Sequence, residues 1–320
     1  MSTGITASPR AAAWRYAGAF WVAVTLGAMG LGGCASEPRT FATPDAAVDS
    51  LVGALRVNDE KSLESILGPD TSKVLTSGDS VADANRRADF LRLYDEKHRL
   101  TPVEDESVTL EVGATDWPMP IPVVKGDQGW YFDTAAGLDE MLSRRIGHNE
   151  LDAIETCLAI ADAQREYAAA DFNGDGWREY ARTFWSDPGT KDGLYWPATA
   201  DAPDSPLGVL VASATSEGYT ASTGGGPRPY HGYFYRILTA QGPDAPGGAM
   251  DYIVQGHMIA GFAVVAWPAD YGNSGLKTFM VSYNEVVYER DLGDDTDKLA
   301  RAMTTFNPGE GWKPTEVPNP

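Results

Sequence analysis

The residues best spaced for chemistry run from Asp171 to Glu179, reading Asp171-Phe172-Asn173-Gly174-Asp175-Gly176-Trp177-Arg178-Glu179. Oxygen-bearing side chains at loop positions one, three and five turn toward one centre, and a glycine at position six allows the sharp bend. The Trp177 carbonyl is the next oxygen, and Glu179 adds another directly or through water. Hard oxygen donors in this spacing suit Ca2+ in a structural role, pinning the loop rather than activating a water. The pattern leaves that of an EF-hand at Arg182, where such a loop carries its bidentate glutamate. Two readings stay open. One is a calcium loop with Asp171, Asn173, Asp175, Trp177 and Glu179 as ligands and a further ligand from elsewhere. The other is an ion-free turn held by side chain to backbone hydrogen bonds.

Aromatic residues give the second signal. Ten of the 14 tyrosines lie between Trp177 and Tyr288, and Tyr195, Trp196, Tyr230 and Tyr271 sit beside Gly or Pro, where loops expose rings. With His231 they form a candidate ligand surface, because flat rings stack on glycan or hold a protein partner. The competing reading is that such rings fill a core. Other hooks are weaker. Gly272-Asn273-Ser274-Gly275 lacks the Gly-x-Ser-x-Gly elbow of a serine hydrolase, and its histidine would have to be His231 or His257. The four histidines, His98, His148, His231 and His257, show no paired ligand spacing.

Composition bounds the partners. The 320 residues carry 25 Lys and Arg against 45 Asp and Glu, a formal charge of −20. Nucleic acid is excluded as a partner, since phosphate binding needs a cationic surface, and so is adhesion to anionic lipid through a basic patch. Two cysteines exclude a disulfide-dense scaffold. The first, Cys34, ends a distinctive leader: Arg10 and Arg15, a charge-free run from Ala17, then Leu31-Gly32-Gly33-Cys34. A basic start, a short apolar stretch and small residues before a cut site describe a secretory signal. With Cys directly after Leu-Gly-Gly, residues 1–33 resemble a bacterial lipoprotein signal. That resemblance implies acylation of Cys34 and anchorage by a fatty chain to a membrane, with Ala35 favouring the outer membrane and a periplasm-facing body. Cys157 lies among Ile154, Leu158 and Ala161 on a helical pattern, as a buried inert thiol would.

The elements that must position these residues follow from period. After a tether at 34–42, Thr43-Pro44 reads as a helix cap with Pro first, followed by Val48, Leu51, Val52 and Leu55 at helical spacing. A short helix carries Leu63, Ile66 and Leu67 up to Gly68-Pro69, and a third runs over 81–98. Val108-Leu110-Val112 then alternates as a strand, with further strands at 121–124 and 129–132 and a closing helix over 135–146. A strong helical pattern over 149–170 leads into loops. Strands are expected near 207–212, 232–239, 252–254, 258–267, 276–283 and 285–291, and a last helix near 294. The expected fold is α+β in two domains, 43–147 and 148–310, with a tail at 311–320.

Several stretches are specific enough to compare with known families. The N-terminal order, helices and then a curved antiparallel sheet, resembles the nuclear-transport-factor-2-like cone, a fold that implies no single chemistry. The C-terminal order of helix, loops and antiparallel strands is similar to the globular head of pilins and pseudopilins. Asp192-Gly193-Leu194-Tyr195-Trp196-Pro197, Tyr230-His231-Gly232-Tyr233-Phe234-Tyr235-Arg236-Ile237-Leu238 and Tyr271-Gly272-Asn273-Ser274-Gly275 resemble a bacterial family of unknown function, number 2950 in that series. So do Arg144-Arg145-Ile146-Gly147 and Asp291-Leu292-Gly293. The resemblance implies an exported envelope protein and supplies no catalytic residues. The expected function is a non-enzymatic binding or scaffolding module for an envelope protein or glycan. A glycan- or peptidoglycan-directed hydrolase is the alternative.

Overall fold

The computed structural model describes residues 38–104, 106–199, 204–220 and 228–315. Cys34 and the signal expected at 1–33 lie outside them. The class is α+β, as expected. Thr43 caps helix α1 (Pro44–Val57), its Oγ1 accepting the Ala46 N–H at 3.1 Å. Pro44 occupies the first turn, where its missing N–H has no helical partner to lose. Val48, Leu51, Val52 and Leu55 are buried, and α2 (Glu60–Leu67) adds Leu63, Ile66 and Leu67 before stopping at Gly68. Short α3 (Thr71–Leu75) and long α4 (Ser80–Glu96) follow, the latter capped by Asp79.

Strands β1 (His98–Glu104), β2 (Ser107–Val112), β3 (Trp117–Pro118), β4 (Val123–Gly126) and β5 (Gly129–Phe132) form one antiparallel sheet. In β2 the apolar residues Val108, Leu110 and Val112 alternate into the core, the mark of a strand with one buried face. They pack with α1, α2 and Phe132 in a first hydrophobic cluster.

The two helices expected on either side of residue 147 are one. Helix α5 runs from Thr134 to Ala168 without a break. A glycine inside a helix costs about 1 kcal/mol against alanine, so Gly147 invites a stop. The flanking side chains hold the helix through it. Arg145 donates to the carbonyls of Lys73 at 2.9 Å and of Val74 and Thr76, and Asn149 donates to the Ser274 carbonyl at 2.8 Å. The expected boundary at 147/148 thus falls mid-helix, and the described residues all belong to one compact unit.

The second half begins with a further difference. Residues expected as a strand near 207–212 form helix α6 (Gly208–Ser216). A short apolar run fits a buried strand or a helix equally, and here Ala and Ser continue it helically. Strands β6 (Tyr233–Leu238), β7 (Ala240–Gln241), β8 (Met250–Asp251), β9 (Ile253–Val254), β10 (His257–Met258), β11 (Ala263–Pro268), β12 (Lys277–Ser282) and β13 (Tyr288–Asp291) follow. A 3-10 turn then leads into α7 (Thr296–Ala302), and β14 (Lys313–Pro314) comes last. The main sheet has the order β14-β13-β12-β11-β6. The interior strand β11, Ala-Val-Val-Ala-Trp-Pro, lies between β12 and β6 and is buried along its whole length, because α5 covers one face and α7 with Phe306 the other. Within the expected tail, Lys313 and Pro314 extend this sheet, with Lys313 opposite Glu289 and ion-paired to it at 3.1 Å. Cys157 is fully buried against the sheet, and burial pushes its thiol up to about 12, as expected of an inert residue. No helix among the described residues is long and apolar enough to cross a membrane.

Candidate functional site

Tyr230-His231-Gly232-Tyr233 folds as a two-residue turn. Tyr230 and Tyr233 exchange both backbone hydrogen bonds, at 2.8 and 3.1 Å, and His231 and Gly232 both have positive φ, 50° and 78°, the geometry of a type I′ turn. Glycine is required at 232 for a second reason: a Cβ there would lie 2.5 Å from the Asn149 side-chain nitrogen. A non-glycine residue with positive φ is strained, and His231 is held there by three carboxylates. Its Nδ1 lies 3.1 Å from Asp152 of α5, and its Nε2 lies 2.6 Å from Glu217 after α6. Asp79, itself buried, accepts the Gly232 N–H at 3.0 Å and the Tyr219 hydroxyl at 2.8 Å through one oxygen. Its other oxygen caps α4 through the N–H groups of Val81 and Ala82. Burial works against a charged ring at His231, but the bonds to Asp152 and Glu217 outweigh it and raise its pKa above the ordinary value. With a carboxylate at each ring nitrogen, the form that satisfies both is the imidazolium, which has an N–H on each.

This hub fixes a wall of aromatic rings. Tyr230 stacks on His231 with ring centres 4.1 Å apart, and Tyr219 meets Tyr230 edge-on at 5.0 Å. On one side of Tyr219 lies a cleft of about 440 Å³ lined by Arg86, His148, Asp152 and His231. On the other is a larger one of about 720 Å³, lined by Ile160, Phe184, Trp185, Leu210, Tyr230 and Tyr235. The Tyr235 hydroxyl is shielded from solvent and has no hydrogen-bond partner of good geometry among the described residues. Thr156, which also lines this cleft, is the polar group beside it. Burial raises the Tyr230 hydroxyl to about 12 and pushes those of Tyr219 and Tyr235 up as well, so all three stay protonated and able to donate.

The residues of the expected ligand surface separate. Tyr230 and His231 come together as described. Tyr195 is half-buried and edge-on to Trp185 at 5.0 Å. Trp196 is not a loop ring but core, packing with Tyr167 and Phe172 under the end of α5. Tyr271 donates to Asp291 at 2.9 Å and lines neither cleft. Ser274 is fully buried, and its Oγ is bonded to the backbone of Asp270 rather than to a histidine.

The acidic loop is also rearranged from expectation. Asp171 accepts the N–H groups of Gly174 at 2.8 Å and Gly176 at 2.9 Å, with Gly176 at φ 91° making the predicted bend. Asn173 turns its amide N–H toward the carboxylates, donating to Asp175 at 2.9 Å and Glu179 at 2.8 Å. Asp175 accepts the Trp177 N–H at 2.9 Å, the main cause of its lowered pKa. What converges with Asp175 and Glu179 is a residue sequence spacing missed, His257, whose ring also stacks on Trp177 at 4.7 Å. Asp79, Asp152 and Glu217 were equally invisible, because only long-range packing brings them to the clefts. The half-buried Tyr-His-Gly-Tyr turn was the one signal pointing to the hub.

The chain matches, over residues 38–315, the family described as a protein of unknown function (DUF2950), and it belongs to that family. No curated protein and no solved structure matches it.

Proposed function

We propose that this protein is an exported envelope lipoprotein, anchored through Cys34, whose folded part binds a glycan in the larger cleft and acts by binding rather than by catalysis. One observation carries the reading: a cleft of about 720 Å³ walled by the rings of Phe184, Trp185, Tyr230 and Tyr235. Its size falls in the range of small-molecule sites, and apolar walls with few placed polar groups are what such sites use. Rings with hydroxyl tips suit a sugar, whose faces are apolar and whose edges carry hydroxyls. Trp185, 42% exposed, offers a stacking face at the rim.

The hydrolase alternative needs one carboxyl as acid and a second as base or nucleophile. Asp89, Asp152 and Glu217 line the smaller cleft; Asp152 and Glu217 both face one imidazole, which favours a positioning role for them, and Asp89 is paired with Arg92. The test is titration of the full chain with triacetylchitotriose and with soluble muropeptides, followed by tryptophan emission and by chromatography of the sugars. Saturable binding without cleavage is expected, with Trp185→Ala weakening it roughly tenfold, about 1.4 kcal/mol. Absence of binding to either probe overturns the reading, as does cleavage that Asp152→Asn or Glu217→Gln abolishes. Anchorage is tested by mass spectrometry of the processed N-terminus: a diacylated or triacylated Cys34 is expected, and an intact Met1 or a free thiol contradicts it.

A further inference from the structure

The second histidine site lies away from both clefts. Strands β9 and β10 are joined by Gln255-Gly256, both with positive φ, 52° and 88°, again a type I′ turn. It sets His257 at the start of β10. The acidic loop is strapped to this hairpin: Met258 donates its N–H to Glu179 Oε2 at 2.9 Å, and Tyr180 donates to the Met258 carbonyl at 2.8 Å. The strap fixes three ligand atoms against one another. His257 Nδ1 lies 3.5 Å from Asp175 Oδ2 and 3.5 Å from Glu179 Oε2, and all three atoms fall within 4.8 Å.

An independent feature points to a ligand here. The His257 Nδ1 is closed off from solvent and makes no hydrogen bond among the described residues, although it faces two carboxylates. Neither carboxylate leans in to meet it, because each is held elsewhere, Glu179 by Asn173 and Met258 and Asp175 by Asn173 and Trp177. We infer that Asp175, Glu179 and His257 form a site for a divalent transition-metal ion of the zinc class. Atoms bound tetrahedrally at 2.0–2.1 Å stand about 3.3 Å apart, close to the two 3.5 Å separations seen here. An imidazole nitrogen with two carboxylates suits Zn2+ and its neighbours, whereas Ca2+ takes oxygen ligands alone. The ion therefore differs from the calcium expected of the loop, and so does the ligand set, since Asp171 stays on the backbone of the turn. Asn173 and the Met258 N–H orient the two carboxylates from outside, as supporting donors around metal ligands do. Arg182, 3.8 Å from Glu179, is drawn to the flank by its bond to the Gly256 carbonyl. Three protein ligands leave a fourth position for water or a ligand group.

Full chain freed of metal with EDTA and titrated calorimetrically with ZnCl2 is expected to bind one equivalent, to melt at a higher temperature, and to change its emission through Trp177, which stacks on the ligand histidine. His257→Ala and Asp175→Asn are each expected to weaken binding by more than about tenfold, since even supporting residues cost that much. Asp175 lies on an exposed loop, so its variant keeps the test intact if His257→Ala folds poorly. Millimolar CaCl2 is expected to leave melting and emission unchanged. The inference is overturned by the absence of a one-to-one Zn2+ isotherm, by affinities that neither substitution alters, or by a saturable Ca2+ response.

Discussion

His231 and His257 stand in parallel settings. Each is placed by a two-residue left-handed turn, each has an aromatic ring stacked on it, and each faces two carboxylates. They differ in how the ring meets the acids. At His231 the acids divide the ring, one to each nitrogen, and both bonds close at 3.1 and 2.6 Å. At His257 both acids face the same nitrogen, and the contacts stop at 3.5 Å. An imidazolium has one N–H on each nitrogen, so it satisfies two acids only when they sit on opposite sides. The first arrangement completes itself and works as a structural clamp. The second leaves one ring nitrogen and two carboxylates aimed at one point, a set of donors that a cation would hold together. Residue types alone do not separate the two; the side of the ring does.

The largest expected effect tests the clamp. Asp79 accepts four hydrogen bonds and is 1% exposed, so Asp79→Ala removes a helix cap and strands the Gly232 N–H and Tyr219 hydroxyl. Urea unfolding is expected to show a loss of roughly 3–5 kcal/mol, with glycan binding lost as the Tyr219–Tyr230 wall loosens. A loss below about 1 kcal/mol, no more than a cap alone, would break the description of the hub.

Next comes His231→Gln, expected to cost roughly 2–3 kcal/mol through two charge-assisted bonds. Its pH dependence has a definite sign. The folded value of His231 lies above the unfolded one, so its stabilisation is fully present below about pH 6.5 and fades as pH rises through the folded value. The variant is expected to lose that slope, seen by comparing unfolding midpoints from pH 5 to 9; an unchanged slope contradicts the clamp.

The smallest effect belongs to the other histidine. In metal-free protein His257→Ala is expected to cost less than about 1 kcal/mol, since its Nδ1 has no hydrogen bond to lose and only the stack on Trp177 goes with it. With one equivalent of Zn2+ the difference between parent and variant should widen by the linkage of binding to folding. A large metal-free cost would show that the two histidines serve alike.

Much of the scaffold was legible in the sequence. Thr43-Pro44 announced its cap, Val108-Leu110-Val112 its alternation, and Gly176 its bend, because each depends on neighbours a few residues away. The continuous α5 was not, since Gly147 is outvoted by Arg145 and Asn149, whose partners Val74 and Ser274 lie 71 and 125 residues distant. The strand expected at 207–212 failed because its apolar run has no decisive period. The acidic loop and its bend at Gly176 were legible, yet its partner arrives through Met258, 79 residues after Glu179. Trp196 was placed on a surface because Pro197 follows it, while the rings of Tyr167 and Phe172 draw it into the core.

The contrast between the two rings is read most directly by nitrogen-15 spectra of the full chain labelled at histidine, recorded with and without one equivalent of Zn2+. The account predicts that the nitrogens of His231 ignore the metal, while the Nδ1 resonance of His257 shifts to that of a metal-bound nitrogen. A metal-induced shift at His231, or none at His257, would contradict it.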